Sequence, residues 1–244
     1  MCVQDVPRIL GHARDGAPVT TTGIGGAGVL AIDGPAGSGK STVARRVAEE
    51  LGLEMLDTGA MYRSVTWAAI RRSVDPHDDV ALGELAESLR IELSDGCVTV
   101  DGVDCTTEIR GPEVNGLVSV VSAQPSVRRH LVTIQRSWMA QRGGGVVEGR
   151  DIGTVVFPDA SLKVFLTASA LVRAGRRSAE RSGEALAEIA SELERRDHLD
   201  STRADSPLRA ADNALFLDTS DLSIDEVVER ISSRYRAVTS AGSP

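Results

Sequence analysis

The 244-residue sequence has no apolar run approaching the ~20 residues that a membrane-spanning helix requires, and its N-terminus lacks the basic-then-apolar layout of a signal peptide. Neither a membrane partner nor export is expected, and a cytoplasmic protein is. Cysteine is scarce. Cys2, Cys97 and Cys105 are odd in number and lack metal-ligand spacing, which fits a reducing compartment better than a disulfide-stapled domain and gives each an inert packing role. His12, His77, His130 and His198 show no ligand pattern either, so no catalytic role falls to them. An excess of positive charge is also missing. With 27 Lys+Arg against 35 Asp+Glu the net charge is −8, so no nucleic acid polymer is expected as a partner and any phosphate site must be local. What is present is 41% hydrophobic residues, enough to fill the core of one α/β domain that folds alone; a monomer is expected.

Residues 1–28 are rich in Gly, Thr, Ala and Pro without a sustained period and read as a flexible leader, with residues 237–244 as a flexible tail. Val29-Leu30-Ala31-Ile32-Asp33 then reads as a short strand buried on both faces, the kind found in parallel sheets. From Ser41 the apolar residues Val43, Val47 and Leu51 recur every four positions while Arg45, Arg46, Glu49 and Glu50 take other faces. This is an amphipathic helix ended by Gly52. Further apolar strands are expected at 54–57, 145–148, 162–167 and 214–217, each followed or preceded by enough chain for a crossover, so the sum is a five-stranded parallel sheet flanked by helices. A last helix over 223–235 opens with Ser223 and Glu226 in capping-box spacing and should cover one side of that sheet.

Two segments differ in character. Residues 90–105 alternate apolar and polar around Asp95-Gly96 and Asp101-Gly102, both hairpin-turn signals, and predict a small antiparallel insert. Residues 168–203 are long, charged and helical, with arginines at 173, 176, 177, 181, 195, 196 and 203 and a lone Gly183 as a possible hinge. They suit either a solvated helical hairpin or a mobile lid.

Gly34-Pro35-Ala36-Gly37-Ser38-Gly39-Lys40-Ser41 matches G-x-x-x-x-G-K-[ST], which chance would give in roughly one chain in a hundred of this length. Its position after a buried strand and at the opening of a helix lets successive backbone N–H groups, through Thr42, converge on the phosphates of a nucleoside triphosphate. Lys40 would reach the β- and γ-phosphates and the Ser41 hydroxyl would ligate Mg²⁺. Asp33, beside the loop, is expected as an outer partner of Mg²⁺ or Lys40, since an ionised phosphate nucleophile needs no base. The loop alone does not choose among a metabolite kinase, a GTPase and a motor. A GTPase needs N-K-x-D, which is absent, and a motor's acidic pair is reduced to Glu148 after Val146-Val147. A small-metabolite kinase remains.

Read with the phosphate loop, Leu56-Asp57-Thr58-Gly59-Ala60-Met61-Tyr62-Arg63 and Glu148-Gly149-Arg150-Asp151-Ile152-Gly153-Thr154-Val155-Val156-Phe157-Pro158 closely resemble the bacterial cytidylate kinases, over residues 29–236. The resemblance implies an α/β P-loop kinase with a monophosphate-binding lobe at about 58–130, the β insert at about 90–105 within it, and a helical lid at about 168–203. It implies transfer of the γ-phosphoryl of ATP to CMP or dCMP. The acceptor would be bound by Thr58, Arg63, Ser119, Arg128, Arg150, Asp151, Arg196, Asp200 and Arg203. Lys40, Arg150, Arg203 and the lid residues Arg176 and Arg177 would serve the transferring phosphoryl, with Arg173 a further lid candidate. The residue types suit these roles: a carboxylate such as Asp151 can accept from the cytosine N4 amine, where uracil would present an oxygen, and guanidinium forks suit phosphate oxygens. Two alternatives stay open, a related kinase acting on UMP and a nucleotide-regulated binding module.

Overall fold

A computed structural model describes residues 28–241 apart from residue 95 and residues 181–184. The leader up to residue 27, part of the Asp95-Gly96 turn and the Gly183 hinge therefore lie outside the described residues. In chain order the first elements are β1 (Val29–Asp33), α1 (Lys40–Leu51), β2 (Met55–Asp57), α2 (Thr58–Arg71) and α3 (Asp79–Ser88). Strands β3 (Ile91–Ser94), β4 (Cys97–Val100) and β5 (Val103–Asp104) follow, then α4 (Pro112–Ser122), α5 (Pro125–Arg142) and β6 (Gly145–Gly149). The chain ends through β7 (Leu162–Thr167), α6 (Ala170–Glu180), α7 (Leu186–Thr202), β8 (Leu215–Asp218) and α8 (Ile224–Ala241).

The described chain divides into two compact units, one formed by residues 58–138 and the other by residues 28–57 together with 139–241. In the second, all five expected strands form one sheet in the order β2-β6-β1-β7-β8, and every neighbouring pair is parallel. Leu30, Ile32, Val146, Val164 and Leu166 are buried from this sheet, and Val43 and Val47 of α1 with Val227 and Ile231 of α8 close over them. Such unbroken apolar strands are what a sheet covered on both faces requires. The register sets Asp57 beside Glu148 and Asp33 beside Gly149, so the carboxyl ends of β2, β6 and β1 finish together with an acid at or near each end. In open α/β sheets that edge is the usual ligand crevice.

The capping box is realised. Ser223 N donates to Glu226 Oε2 at 2.9 Å and Glu226 N to Ser223 Oγ at 3.3 Å. Helix α8 then runs to Ala241, so residues 237–241, expected in a tail, are helical.

The other unit is organised around α2, of which ten residues are buried, packed against α3, α4 and the short 3₁₀ turn Glu108–Arg110. The insert is present as the antiparallel sheet β3-β4-β5. Cys105 is a free, buried thiol pushed up to about 11, mainly by burial, which leaves it inert as expected. Among the described residues no helix is long and apolar enough to cross a membrane.

Candidate active site

Strand β1 delivers the chain into the phosphate loop through Gly34, where only glycine fits: a Cβ there would stand 2.0 Å from the Leu166 carbonyl oxygen. The loop closes on Gly39, which adopts a left-handed conformation (φ 88°) as the N-cap of α1 and leaves that helix with neither a side-chain cap nor an acid in its first turn. Uncapped N–H groups at the positive end of a helix make a ready site for an anion. Ser38 and Lys40 are buried in the loop, Ser41 is half-buried and Thr42 exposed.

Lys40 is only 6% exposed. Its ammonium donates to the Pro35 carbonyl at 2.7 Å and reaches the Ser38 hydroxyl at 3.5 Å. Burial, then the nearby positive charge of Arg150 and Arg196, pull its pKa well below that of an ordinary lysine, and Glu148 only partly opposes them. Glu148 is held in the opposite sense: burial and then Asp57 raise its carboxyl, while Lys40 and a hydrogen bond from Ser41 pull it back. Sequence reading left Glu148 without a role. Its signal was there in Val146-Val147-Glu148, a buried strand ending on an acid.

The hydroxyl of Ser41 and the carboxylate of Glu148 fit Mg²⁺, a hard cation that takes oxygen ligands and keeps much of its water. Among the described residues no cluster of three or more His, Cys, Asp or Glu side chains is arranged to hold a metal by itself. Asp33 lies close enough to Lys40 for that cation to pull its carboxyl down, and it has a second task as well. Its two carboxylate oxygens accept from Ile152 N at 2.8 Å and Gly153 N at 2.7 Å, so it braces the π-type turn Ile152–Val156 that follows Arg150 and Asp151. Burial raises that carboxyl to about 6, even though the two N–H donors favour its charged form.

The expected residues of β6 and α7 come together in the same unit. Arg150 Nε donates to Asp200 Oδ2 at 2.9 Å, Arg196 Nε lies 4.0 Å from the same oxygen, and Arg203 pairs with Asp151 at 3.4 Å. Burial alone would raise the Asp200 carboxyl, but Arg150, Arg196 and Arg203 together hold it below the usual carboxylate range. Arg196 is pushed down to about 10, by burial first and then by Arg150, with Arg177 adding to the crowding. Five buried or half-buried charged side chains from two stretches of sequence, 150–151 and 196–203, thus form one network.

Arg173, Arg176 and Arg177 of α6, expected in a lid, differ in their contacts. Arg176 donates to Ser38 O at 3.3 Å, Thr219 Oγ1 at 2.9 Å and Thr219 O at 2.7 Å, so it spans from the phosphate loop to the turn after β8. Arg177 lies close enough to Arg196 to act on it electrostatically. Arg173 instead ties down the loop, donating to Ala36 O at 3.1 Å and pairing with Asp197, whose other oxygen accepts from Ala36 N at 2.9 Å. Asp197 and Thr219 carried no signal in the sequence because their partners lie far away along the chain.

Thr58, Arg63, Ser119 and Arg128 belong to the other unit, and all four are buried there, at 3%, 7%, 7% and 3% exposure. Arg128 lies 5.6 Å from the centre of the Tyr62 ring and donates to Ser122 O at 3.3 Å, while Ser122 Oγ donates to Ser119 O. Polar side chains this deep are retained where something must be bound or held.

A family model described as cytidylate kinase matches residues 30–237. The chain belongs to the cytidylate kinase family. It is 49% identical to the cytidylate kinase of Mycobacterium avium over 83% of this chain and 92% of that protein. It is 50% identical to the bifunctional pantoate ligase/cytidylate kinase of Prochlorococcus marinus over 85% of this chain. The chain spans less than half the length of that relative, 44% of it. Among solved structures, an uncharacterised protein from Eubacterium ventriosum superposes with a TM-score of 0.51 at 11% identity, covering 86% of this chain and 99% of the other, a likeness of fold alone. The cytidylate kinase family model thus covers the phosphate loop, the Arg150 network and the buried polar residues of the α2 unit in one span.

Proposed function

We propose that the chain transfers the γ-phosphoryl of ATP to CMP or dCMP, giving ADP and CDP or dCDP. The observation that carries this reading is the charge at the sheet's carboxyl edge. Lys40 is buried with Arg150 and Arg196 close by, and burial first, then those cations, loosen its proton against the partial opposition of Glu148 and Asp197, in a chain whose net charge is −8. So much buried cation is costly until anions arrive. Two facing phosphate groups, one from each nucleotide, are the natural counter-charge.

ATP is held by the backbone of Gly34 to Thr42, with Lys40 on the β- and γ-phosphates. Ser41, with Glu148 beside it, would hold Mg²⁺, which would supply positive charge to the phosphates. Arg63, Arg150 and Arg203 hold the acceptor phosphate and offset its repulsion from the donor. Asp151 accepts from the cytosine N4 amine, Ser119 and Arg128 donate to its other edge, Thr58 contributes to the same acceptor site, and Asp200 and Arg196 serve the sugar. Arg176 and Arg177 supply positive charge to the phosphoryl in flight and exclude water. The acceptor oxygen is already ionised, so in-line attack needs no general base. A cytoplasmic monomer with neither nucleic acid polymer nor membrane as partner accords with the acidic composition.

A panel of CMP, dCMP, UMP and AMP in a coupled ADP-release assay tests this reading. CMP and dCMP should lead by at least an order of magnitude, because a uracil oxygen would face the Asp151 carboxylate. UMP outrunning CMP would sink the assignment, and ATP binding without CMP-dependent turnover would mark a binding module.

A further inference from the structure

Helix α6 lies against the phosphate loop and holds its backbone at two places. Arg173 Nη1 donates to the Ala36 carbonyl at 3.1 Å, and one turn further on Arg176 Nη1 donates to the Ser38 carbonyl at 3.3 Å. The approach is close: a Cβ on Gly37 would stand 3.1 Å from the Arg173 carbonyl oxygen and 3.2 Å from the Arg173 Cβ. Asp197 of α7 completes the grip, its Oδ1 accepting from Ala36 N at 2.9 Å while its Oδ2 pairs with Arg173. One ion pair between α6 and α7 therefore takes both the N–H and the carbonyl of Ala36. Its side chains are largely withdrawn from water, at 14% and 19% exposure, and Ala36 packs beside it with Ala174, Ile189 and Leu193 of the same two helices.

We infer that Asp197 is a positioning residue for the donor triphosphate: with Arg173 it grips the backbone of Ala36 and so holds the phosphate loop in the shape that offers its N–H groups to an anion. This rests on the reading that Gly34 to Thr42 hold ATP. The physical reason lies in the loop's own composition. Gly37 and Gly39 stand at φ 75° and 88°, which glycine permits but does not enforce, because it has the most conformational freedom to lose. A loop ordered from outside by side chains binds without that loss falling on the ligand. A carboxylate suits the task, since its two oxygens can take an N–H and a guanidinium at once.

Calorimetric titration of the full chain with the Mg²⁺ complex of a non-hydrolysable ATP analogue, and separately with CMP, tests the inference in Asp197→Ala, Asp197→Asn, Arg173→Ala and the Arg173→Ala/Asp197→Ala double variant. Removing an acid from beside a phosphate site would tighten an anion on charge alone, for Asp197 favours the charged forms of Lys40, Arg150 and Arg196 only as a neighbouring negative charge. The positioning role predicts the opposite sign. Asp197→Ala should weaken the analogue about tenfold and leave CMP within about threefold. In the Arg173→Ala background it should add less than about twofold, since both side chains hold one residue. An unchanged or tighter analogue in Asp197→Ala, equal losses for the two ligands, or losses that multiply across the double variant would overturn the inference. Failure of the unsubstituted chain to bind the analogue would instead overturn the donor reading of the loop, and this inference with it. Asp197→Asn keeps the side chain's size and gives up the ion pair, so it decides the matter if the Ala variants fold poorly in a thermal melt: a loss of about threefold or more supports the inference, and no loss overturns it.

Discussion

Lys40 and Arg150 are both cations drawn out of water in the same unit, yet Lys40 rests on the Pro35 carbonyl and the Ser38 hydroxyl, whereas Arg150 rests on the Asp200 carboxylate. The lysine loosens its proton. The arginine does not: burial weakens its charge, but Asp200, Asp197 and Glu148 more than restore it. The difference follows from residue type and partner. A buried ammonium whose neighbouring cations are only partly offset by Glu148 and Asp197 can relieve the crowding by deprotonating, and a guanidinium cannot, so its network must carry its own carboxylates. The donor end therefore waits for an anion, while the arginine network is assembled in advance.

Removing the donor cation should have the largest effect. Lys40→Ala is expected to lower kcat by about 10²–10³ with ATP affinity changed much less, because its charge matters most as the phosphoryl moves. A loss of turnover below about tenfold in steady-state kinetics would contradict the contrast drawn here.

Asp200→Ala attacks the other side of the comparison. With its carboxylate gone, Arg150 and Arg196 stay buried without their shared partner, and stability should fall by about 3 kcal/mol in a denaturant titration. A loss under about 1 kcal/mol would mean that the network does not depend on internal pairing. Asp151→Ala is milder for folding, since Arg203 also donates to the Ser206 carbonyl. It should cut kcat/KM for CMP about tenfold or more and narrow the preference over UMP. An unchanged CMP-to-UMP ratio would remove Asp151 from base reading.

The smallest effect is a fraction of a proton. Phosphate beside Lys40 favours its charged form, so nucleotide binding should draw in protons at pH values between the lowered pKa of the free protein and the ordinary 10.5. Calorimetry at pH 8.5 in two buffers of different ionisation enthalpy reads this directly, and proton release would contradict it. The same shift has a consequence for the free protein. In that window the unfolded chain holds a proton that the folded one lacks, so the Lys40 contribution to stability rises with pH.

Much of the fold was legible because its signals are local. A strand, a glycine turn and a helix stand in one short stretch from Val29 to Leu51, and the hairpin turn Asp101-Gly102 separates β4 from β5 where expected. The site was legible where motifs carry it, and Arg150, Asp151, Arg196, Asp200 and Arg203 do converge. It was not legible where a residue's task depends on a distant partner. Asp33 does lie close enough to Lys40 to feel its charge, as its place beside the loop suggests, but its oxygens also accept from Ile152 and Gly153, 119 and 120 residues away, which the sequence did not signal. Arg173 looked like a partner of Arg176 and Arg177, but it is spent on Ala36 and Asp197.

By itself the sequence determined that a phosphate loop stands between a buried strand and a helix, since glycine freedom, apolar runs and helix capping act within a few residues of one another. Only the tertiary structure decided that Glu148 lies against Lys40 and Ser41, that Asp197 holds Ala36, and that Asp33 is a brace. Burial and pairing shift charge, and both are set by which strands lie side by side and which helices cross, relations that sequence separation conceals.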